Sequence, residues 1–166
     1  MILSDRTIRR ELEQGIIKPM PADSQIQPAS VDVKLGSQLT WINGHQQTIS
    51  ENEGFLLYPG KFVLGCTEEW FEIPNYLAAQ VNGKSSIGRR GLMVHVTAGF
   101  IDPGFRGNIT LELVNLGTSP FYLEQGMLIA QVLFHRLTTD VLRPYGHPDL
   151  KSHYQNQSGP VLAIGE

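Results

Sequence analysis

Turn signals break the apolar runs of this chain about every ten residues, a spacing suited to the short strands of a barrel or sandwich. Apolar residues 55–58 and 62–65 flank a turn at Pro59-Gly60, in which proline and glycine supply the special backbone angles. In residues 26–39, Val31, Val33 and Leu35 alternate with Asp32 and Lys34, the period of a half-buried strand. Residues 70–74 and 77–81 continue the series, and 121–127 read as strand and turn. Residues 128–137 (LIAQVLFHRL) read as a buried strand. Gln131 and His135 are its polar exceptions, read as core groups paired with backbone. Residues 43–54 are polar and turn-rich, a surface hairpin or loop with His45 exposed. One helix is expected, from a Ser4 cap to a Gly15 stop, with Leu3 stapled on Ile8 and Ile8 sharing a face with Leu12.

A single domain accommodates 166 residues. Hydrophobic residues make up 41% of the chain, and no run approaches membrane-spanning length, so a soluble protein is expected. The opening MILSDRTIRREL carries too many charges for a secretory leader. A net charge of −3 with no basic stripe disfavours nucleic-acid binding. The one cysteine, Cys66, lies in a strand-like run and reads as a small core residue. It leaves no intrachain disulfide, which suits a reducing cytoplasm.

Reactive residue types are densest in residues 83–115, GKSSIGRRGLMVHVTAGFIDPGFRGNITLELVN. Lys84, Ser85, Ser86 and Arg89 offer hydroxyls, backbone N–H groups and cations, a set suited to phosphate oxygens. The segment is not a P-loop, since the upstream glycine and its spacing are absent; a polar turn between strands explains it equally well. In residues 109–114, Ile109, Leu111 and Leu113 share one face, and Thr110, Glu112 and Val114 the other. Burial of Glu112 would raise its pKa toward the range useful for proton transfer. The alternative is a solvated glutamate on an edge strand.

Five stretches resemble the dCTP deaminases, which share the trimeric, mostly β fold of the dUTPases. They are QPASVDVKLG (27–36), GKSSIGRRGL (83–92), VTAGFIDPGFRGNITLELVN (96–115), QGMLIAQ (125–131), and a tail with RPYG (143–146) and YQNQSGP (154–160). The resemblance implies a mainly β, dUTPase-like distorted jelly roll or barrel with a short N-terminal helix, assembled as a homotrimer. It implies one domain over 1–166, with 143–166 as a lid; read without it, the tail is a frayed terminus. Asp32 resembles a family position on the N-terminal strand, though solvent explains its polar face as well.

The implied activity is deamination of dCTP to dUTP and ammonia in pyrimidine deoxynucleotide synthesis. The alternative is a bifunctional enzyme that continues to dUMP and pyrophosphate. A lower alternative is a nucleotide-binding regulator without catalysis. Zinc is excluded by arithmetic, since an H-x-E…P-C-x-x-C site needs two cysteines. Magnesium would ride on the triphosphate, with no metal site made of protein ligands. By resemblance Glu112 is the acid/base, Ser85 and Arg89 place the water and hold Glu112, and the backbone at Ala98 shapes the water site. Lys84 and Ser86 would bind phosphates, with Ile87 and Gly88 in the same nucleotide-binding loop. Asp102 would meet the sugar or orient a second water, Thr110 and Leu111 would line the base, and Gln131 matches the bifunctional members. Tyr145, Tyr154 and Gln157 would touch ligand from the tail. His153 stands where the family often has lysine; a neutral histidine offers one donor to a triphosphate where lysine offers three and a charge. The expected partners are dCTP, dUTP and the other subunits of the trimer, with dTTP a candidate inhibitor and neither nucleic acid nor membrane.

Overall fold

The computed structural model describes residues 1–97 and 99–165. Thirteen strands occur among them: Ile17–Lys18 (β1), Ile26–Gln27 (β2), Ser30–Lys34 (β3), Gln38–Thr40 (β4), Gln46–Thr48 (β5), Phe55–Leu57 (β6), Phe62–Glu72 (β7), Leu77–Gly83 (β8), Leu92–Val94 (β9), Phe100–Ile101 (β10), Arg106–Asn115 (β11), Phe121–Leu123 (β12) and Leu128–Arg136 (β13). One sheet runs β5-β4-β7-β11-β9, with β1 also paired to β7; a second runs β10-β8-β13-β3-β2; β12 and β6 form a separate ribbon.

The core lies between the two large sheets, because each presents its apolar alternate residues inward. Val31 and Val33 of β3, Leu77, Ala79 and Val81 of β8, Val132 and Phe134 of β13, and Ile109, Leu111 and Leu113 of β11 are all buried. Cys66 belongs to this core, and burial pushes its thiol up to about 12, so it stays protonated and inert. The expected strand over 26–39 is instead three strands, because the chain turns at residues 28–29 and again around Gly36. Gln131 and His135 are half-exposed on the outer face of β13. Alternation with Val132 and Phe134 sends both outward, so neither is a core polar group.

The helix Asp5–Glu13 (α1) forms as expected, with Ile8 and Leu12 buried. Ser4 occupies the cap position but makes no side-chain cap bond; its carbonyl accepts from Thr7 and Ile8 N–H. Gly15 ends the helix at φ +81°, a conformation cheap only for glycine. A one-turn helix, Ser85–Gly88 (α2), follows β8 where a plain turn was one reading.

The two sheets are tied by a buried carboxylate. Between the pairs Asn108↔Trp70 and Thr110↔Cys66, β11 advances two residues while β7 advances four. The surplus is a bulge at residues 67–69. Thr67 Oγ1 accepts the Ile109 N–H at 2.9 Å and donates to the Glu69 carbonyl at 2.8 Å. The bulge turns Glu69 inward, where it is 3% exposed. There it accepts from the Lys34 N–H of the opposite sheet at 3.0 Å and from Gln25 Nε2 at 3.2 Å.

Burial raises the Glu69 pKa above its ordinary value, with the Lys34 N–H opposing. A raised native pKa stabilises the fold below the unfolded value and withdraws that stability as pH rises. Thermal unfolding of wild type and Glu69→Gln should therefore diverge as pH rises from about 4.5 toward neutrality. The wild type loses ground relative to the variant; parallel curves would mean that the ionised carboxylate is fully compensated.

Candidate active site

The outward face of β11 forms one wall of a cavity of about 640 Å³. Thr110 and Glu112 project from this wall because Ile109, Leu111 and Leu113 occupy the core side of the same strand. Phe62 and Leu64 of β7, then His95, Thr97, Phe100, Ile101, Asp102 and Phe105, and the tail around Tyr145, Tyr154 and Gln157 complete the lining. A cavity of this size, mostly apolar with a few polar groups, suits a small organic ligand.

Glu112 is half-buried, and both carboxylate oxygens are engaged. Oε2 accepts the Thr97 N–H at 2.8 Å and Oε1 accepts the Thr97 hydroxyl at 3.0 Å. Its own carbonyl accepts the His95 N–H at 2.8 Å. Asp102 stands at the same cavity, exposed. Phe105 is buried and packs edge-on to Tyr145, with ring centroids 5.9 Å apart.

The tail lies on the edge of β11 that β9 leaves open. Gly107 and Gln157 form a parallel bridge. The Asn156 N–H donates to Arg106 O at 2.8 Å, and the Asn108 N–H donates to Gln157 O at 3.1 Å. The Tyr154 N–H donates to the Tyr145 hydroxyl at 3.0 Å. Gly107 has φ +144°, and a Cβ there would stand 2.8 Å from Gln157 O, so only glycine allows this approach. The tail is docked over the cavity, with Val161, Leu162 and Ala163 among the lining residues.

Glu112, Asp102, Thr110, Tyr145, Tyr154 and Gln157 thus meet in one cavity of the same chain. Leu111 does not line it: its side chain is fully buried on the core side, opposite Glu112. Lys84, Ser85, Ser86, Ile87, Gly88 and Arg89 lie apart from it on the same chain. Ile87 is buried in the core, while Ser85, Ser86, Gly88 and Arg89 are exposed on and after α2. Lys84 is ion-paired with Asp32, which is 2% exposed. Gln131 is in register with Asp32 on one side and Asn82 on the other. Lys84, Asp32, Gln131 and Asn82 therefore form a polar row on the outer face of the five-stranded sheet. His153 is exposed beside Tyr154 and outside the cavity. Arg106 turns away to Glu72, and hydrogen bonds from Lys18 and then Arg106 hold that carboxyl below its ordinary pKa. Ala98 lies outside the described residues.

Thr97 and His95 escaped the sequence reading as members of the site. Their link to Glu112 depends on β9 pairing with β11, Val94 opposite Leu113, and spacing along the chain carries no trace of it. Phe62 and Leu64 read only as strand residues for the same reason.

Residues 2–137 match the sequence profile of the dCTP deaminase-like family. The "dCTP deaminase, dUMP-forming" of Beutenbergia cavernae is 44% identical over 180 residues, covering 98% of this chain and 94% of that protein. The crystal structure of 2'-deoxycytidine 5'-triphosphate deaminase from Agrobacterium tumefaciens superposes with a TM-score of 0.70 at 25% identity. The match covers 82% of this chain and 48% of that one, so this chain spans about half of it. The dUTPase of Staphylococcus bacteriophage 80alpha shares the fold, with a TM-score of 0.54 at 17% identity over 76% of this chain and 92% of that one.

Docking of the tail through Gly107 is open to test. Gly107→Ala should speed limited proteolysis within residues 143–163 while the body stays resistant. Unchanged cleavage would show that the bridge to Gln157 does not hold the tail.

Proposed function

The chain belongs to the dCTP deaminase-like family, and on that premise we propose that it deaminates dCTP and carries the product on to dUMP. The observation that carries this reading is the shared cavity of Glu112 and Asp102, one carboxyl group for each hydrolysis. The name of the Beutenbergia cavernae relative, a dUMP-forming dCTP deaminase, favours this version over one that stops at dUTP.

In the first step a water oxygen adds to C4 of cytosine as Glu112 takes its proton. Glu112 delivers that proton to N3. It then moves the remaining hydroxyl proton to the amine, which leaves as ammonia and restores a carbonyl at C4. One carboxyl group that gives and takes protons contributes about 10²–10⁴ in rate. Thr110 lines the base, and Phe105 with Tyr145 forms an apolar side of the nucleoside pocket. In the second step Asp102 orients a water toward the α-phosphorus, the bond to the bridging oxygen breaks, and pyrophosphate leaves. Magnesium enters as part of the substrate, bound to the triphosphate.

Lys84, Ser85, Ser86 and Arg89 reach this cavity from a neighbouring subunit of a homotrimer. The exposure of Ser85, Ser86 and Arg89 on and just after α2, away from Glu112 of their own chain, supports this. Ser85 and Arg89 then place the water beside Glu112, while Lys84 and Ser86 meet the phosphates with Ile87 and Gly88 in the same loop. Gln131, in the row beside Lys84, joins them at the triphosphate. Gln157 faces the ligand from the tail, whereas His153 lies outside the cavity. No helix among the described residues is long and apolar enough to cross a membrane, and we place the enzyme in the cytoplasm.

Incubation of the purified protein with dCTP, magnesium and a zinc chelator, with products resolved by anion exchange, tests both steps. The expected products are ammonia, dUMP and pyrophosphate, and Glu112→Gln should lower kcat by about 10²–10⁴. Accumulation of dUTP would remove the second step. Full activity of Glu112→Gln would remove the acid/base assignment.

A further inference from the structure

We infer that Thr97 is the positioning residue for Glu112, holding its carboxylate at one rotamer with a free side toward the reacting water. The inference rests on Glu112 being the acid/base. A glutamate side chain has several staggered rotamers open to it, and a general base must reach its proton within hydrogen-bond distance. Something must therefore select one rotamer before substrate arrives.

The backbone shows how the selection is made. Strand β9 pairs with β11 up to Val94 opposite Leu113. The next residue, His95, still donates its N–H to the Glu112 carbonyl at 2.8 Å. His95 then adopts φ +70°, a left-handed conformation that costs energy for a residue with a Cβ and tends to cluster at functional sites. This reversal brings Thr97 around to the side chain of the residue whose main chain His95 has just bonded. The Thr97 N–H reaches Oε2 at 2.8 Å and the Thr97 hydroxyl reaches Oε1 at 3.0 Å.

Glu112 is thus gripped at its carbonyl and at both carboxylate oxygens by residues two positions apart. An ionised carboxylate has about four lone-pair sites. The N–H takes one on Oε2, and the single hydroxyl proton is shared between Oε1 at 3.0 Å and Oε2 at 3.2 Å, which leaves a lone pair of Oε1 open for a water or a substrate proton. The β-branch of threonine stiffens χ1, so the hydroxyl is itself fixed. Thr97 is exposed, and the core does not depend on its side chain. The contact is therefore poorly explained as a folding device.

The test compares Thr97→Val, which keeps the shape and loses the hydroxyl, with Thr97→Ser, which keeps the hydroxyl, in steady-state dCTP deamination. Loss of a hydrogen bond to a charged group predicts a kcat about tenfold to a hundredfold lower in Thr97→Val, with KM within about threefold of wild type. Thr97→Ser should keep kcat within about threefold of wild type by the same argument. Wild-type kcat in Thr97→Val would overturn the inference. So would a Thr97→Ser variant that falls as far as Thr97→Val, because the methyl group would then be what matters. Glu112→Gln run in parallel separates the two levels: if it stays active, the reading of Glu112 fails. If it is inactive while Thr97→Val is not, only the role of Thr97 fails.

Discussion

The site depends on the unbroken two-residue alternation of β11. Ile109, Leu111 and Leu113 are buried to within 2% exposure, and each fully buried side chain of this size is worth about 1.5–3 kcal/mol. Slipping the strand by one residue would turn these three to the outward face and Glu112 into the core, so burial fixes the register. The direction of Glu112 is a by-product of that apolar burial. The bulge at Thr67–Glu69 absorbs the two-residue mismatch with β7 without disturbing the alternation of β11. It also ties the sheets together through Glu69.

Around that strand the chain separates two kinds of chemistry. The cavity holds carboxylates and apolar walls, which suit a base, a sugar and proton transfer. The exposed edge at α2 holds hydroxyls and Arg89, and the row behind it holds Lys84 against Asp32. A buried carboxylate is costly unless paired, so Asp32 keeps Lys84 on the sheet when no other anion competes. A nucleotide triphosphate needs both kinds of surface. Neither suffices alone, which is why assembly of subunits is integral to the proposed function.

Much of this was legible in the sequence, for reasons that differ by element. The faces of β11 were readable because period two is local, and the same rule told against Leu111 as a lining side chain. Residues 128–137 misled, because seven apolar residues in ten masked the alternation that turns Gln131 and His135 outward. The helix α1 was visible in its spacing, but the Ser4 side chain makes no cap bond. The grip of Thr97 on Glu112 was invisible, since it spans 15 residues and depends on β9 pairing with β11. The docking of the tail likewise depends on an open edge of β11 that no local pattern announces. Family motifs marked Tyr145, Tyr154 and Gln157 without indicating that their own chain would supply the wall they meet.

The most direct test of the account is a subunit-mixing experiment. Glu112→Gln lacks the proposed acid/base and Arg89→Ala lacks the proposed donor from the neighbour, so each should be inactive alone. Unfolded together and refolded as mixed trimers, they regain sites that pair an intact Glu112 with an intact Arg89 from the next chain. Random mixing in equal amounts predicts activity of about a quarter of wild type. Mixtures as inactive as the separate variants would contradict a site shared between subunits.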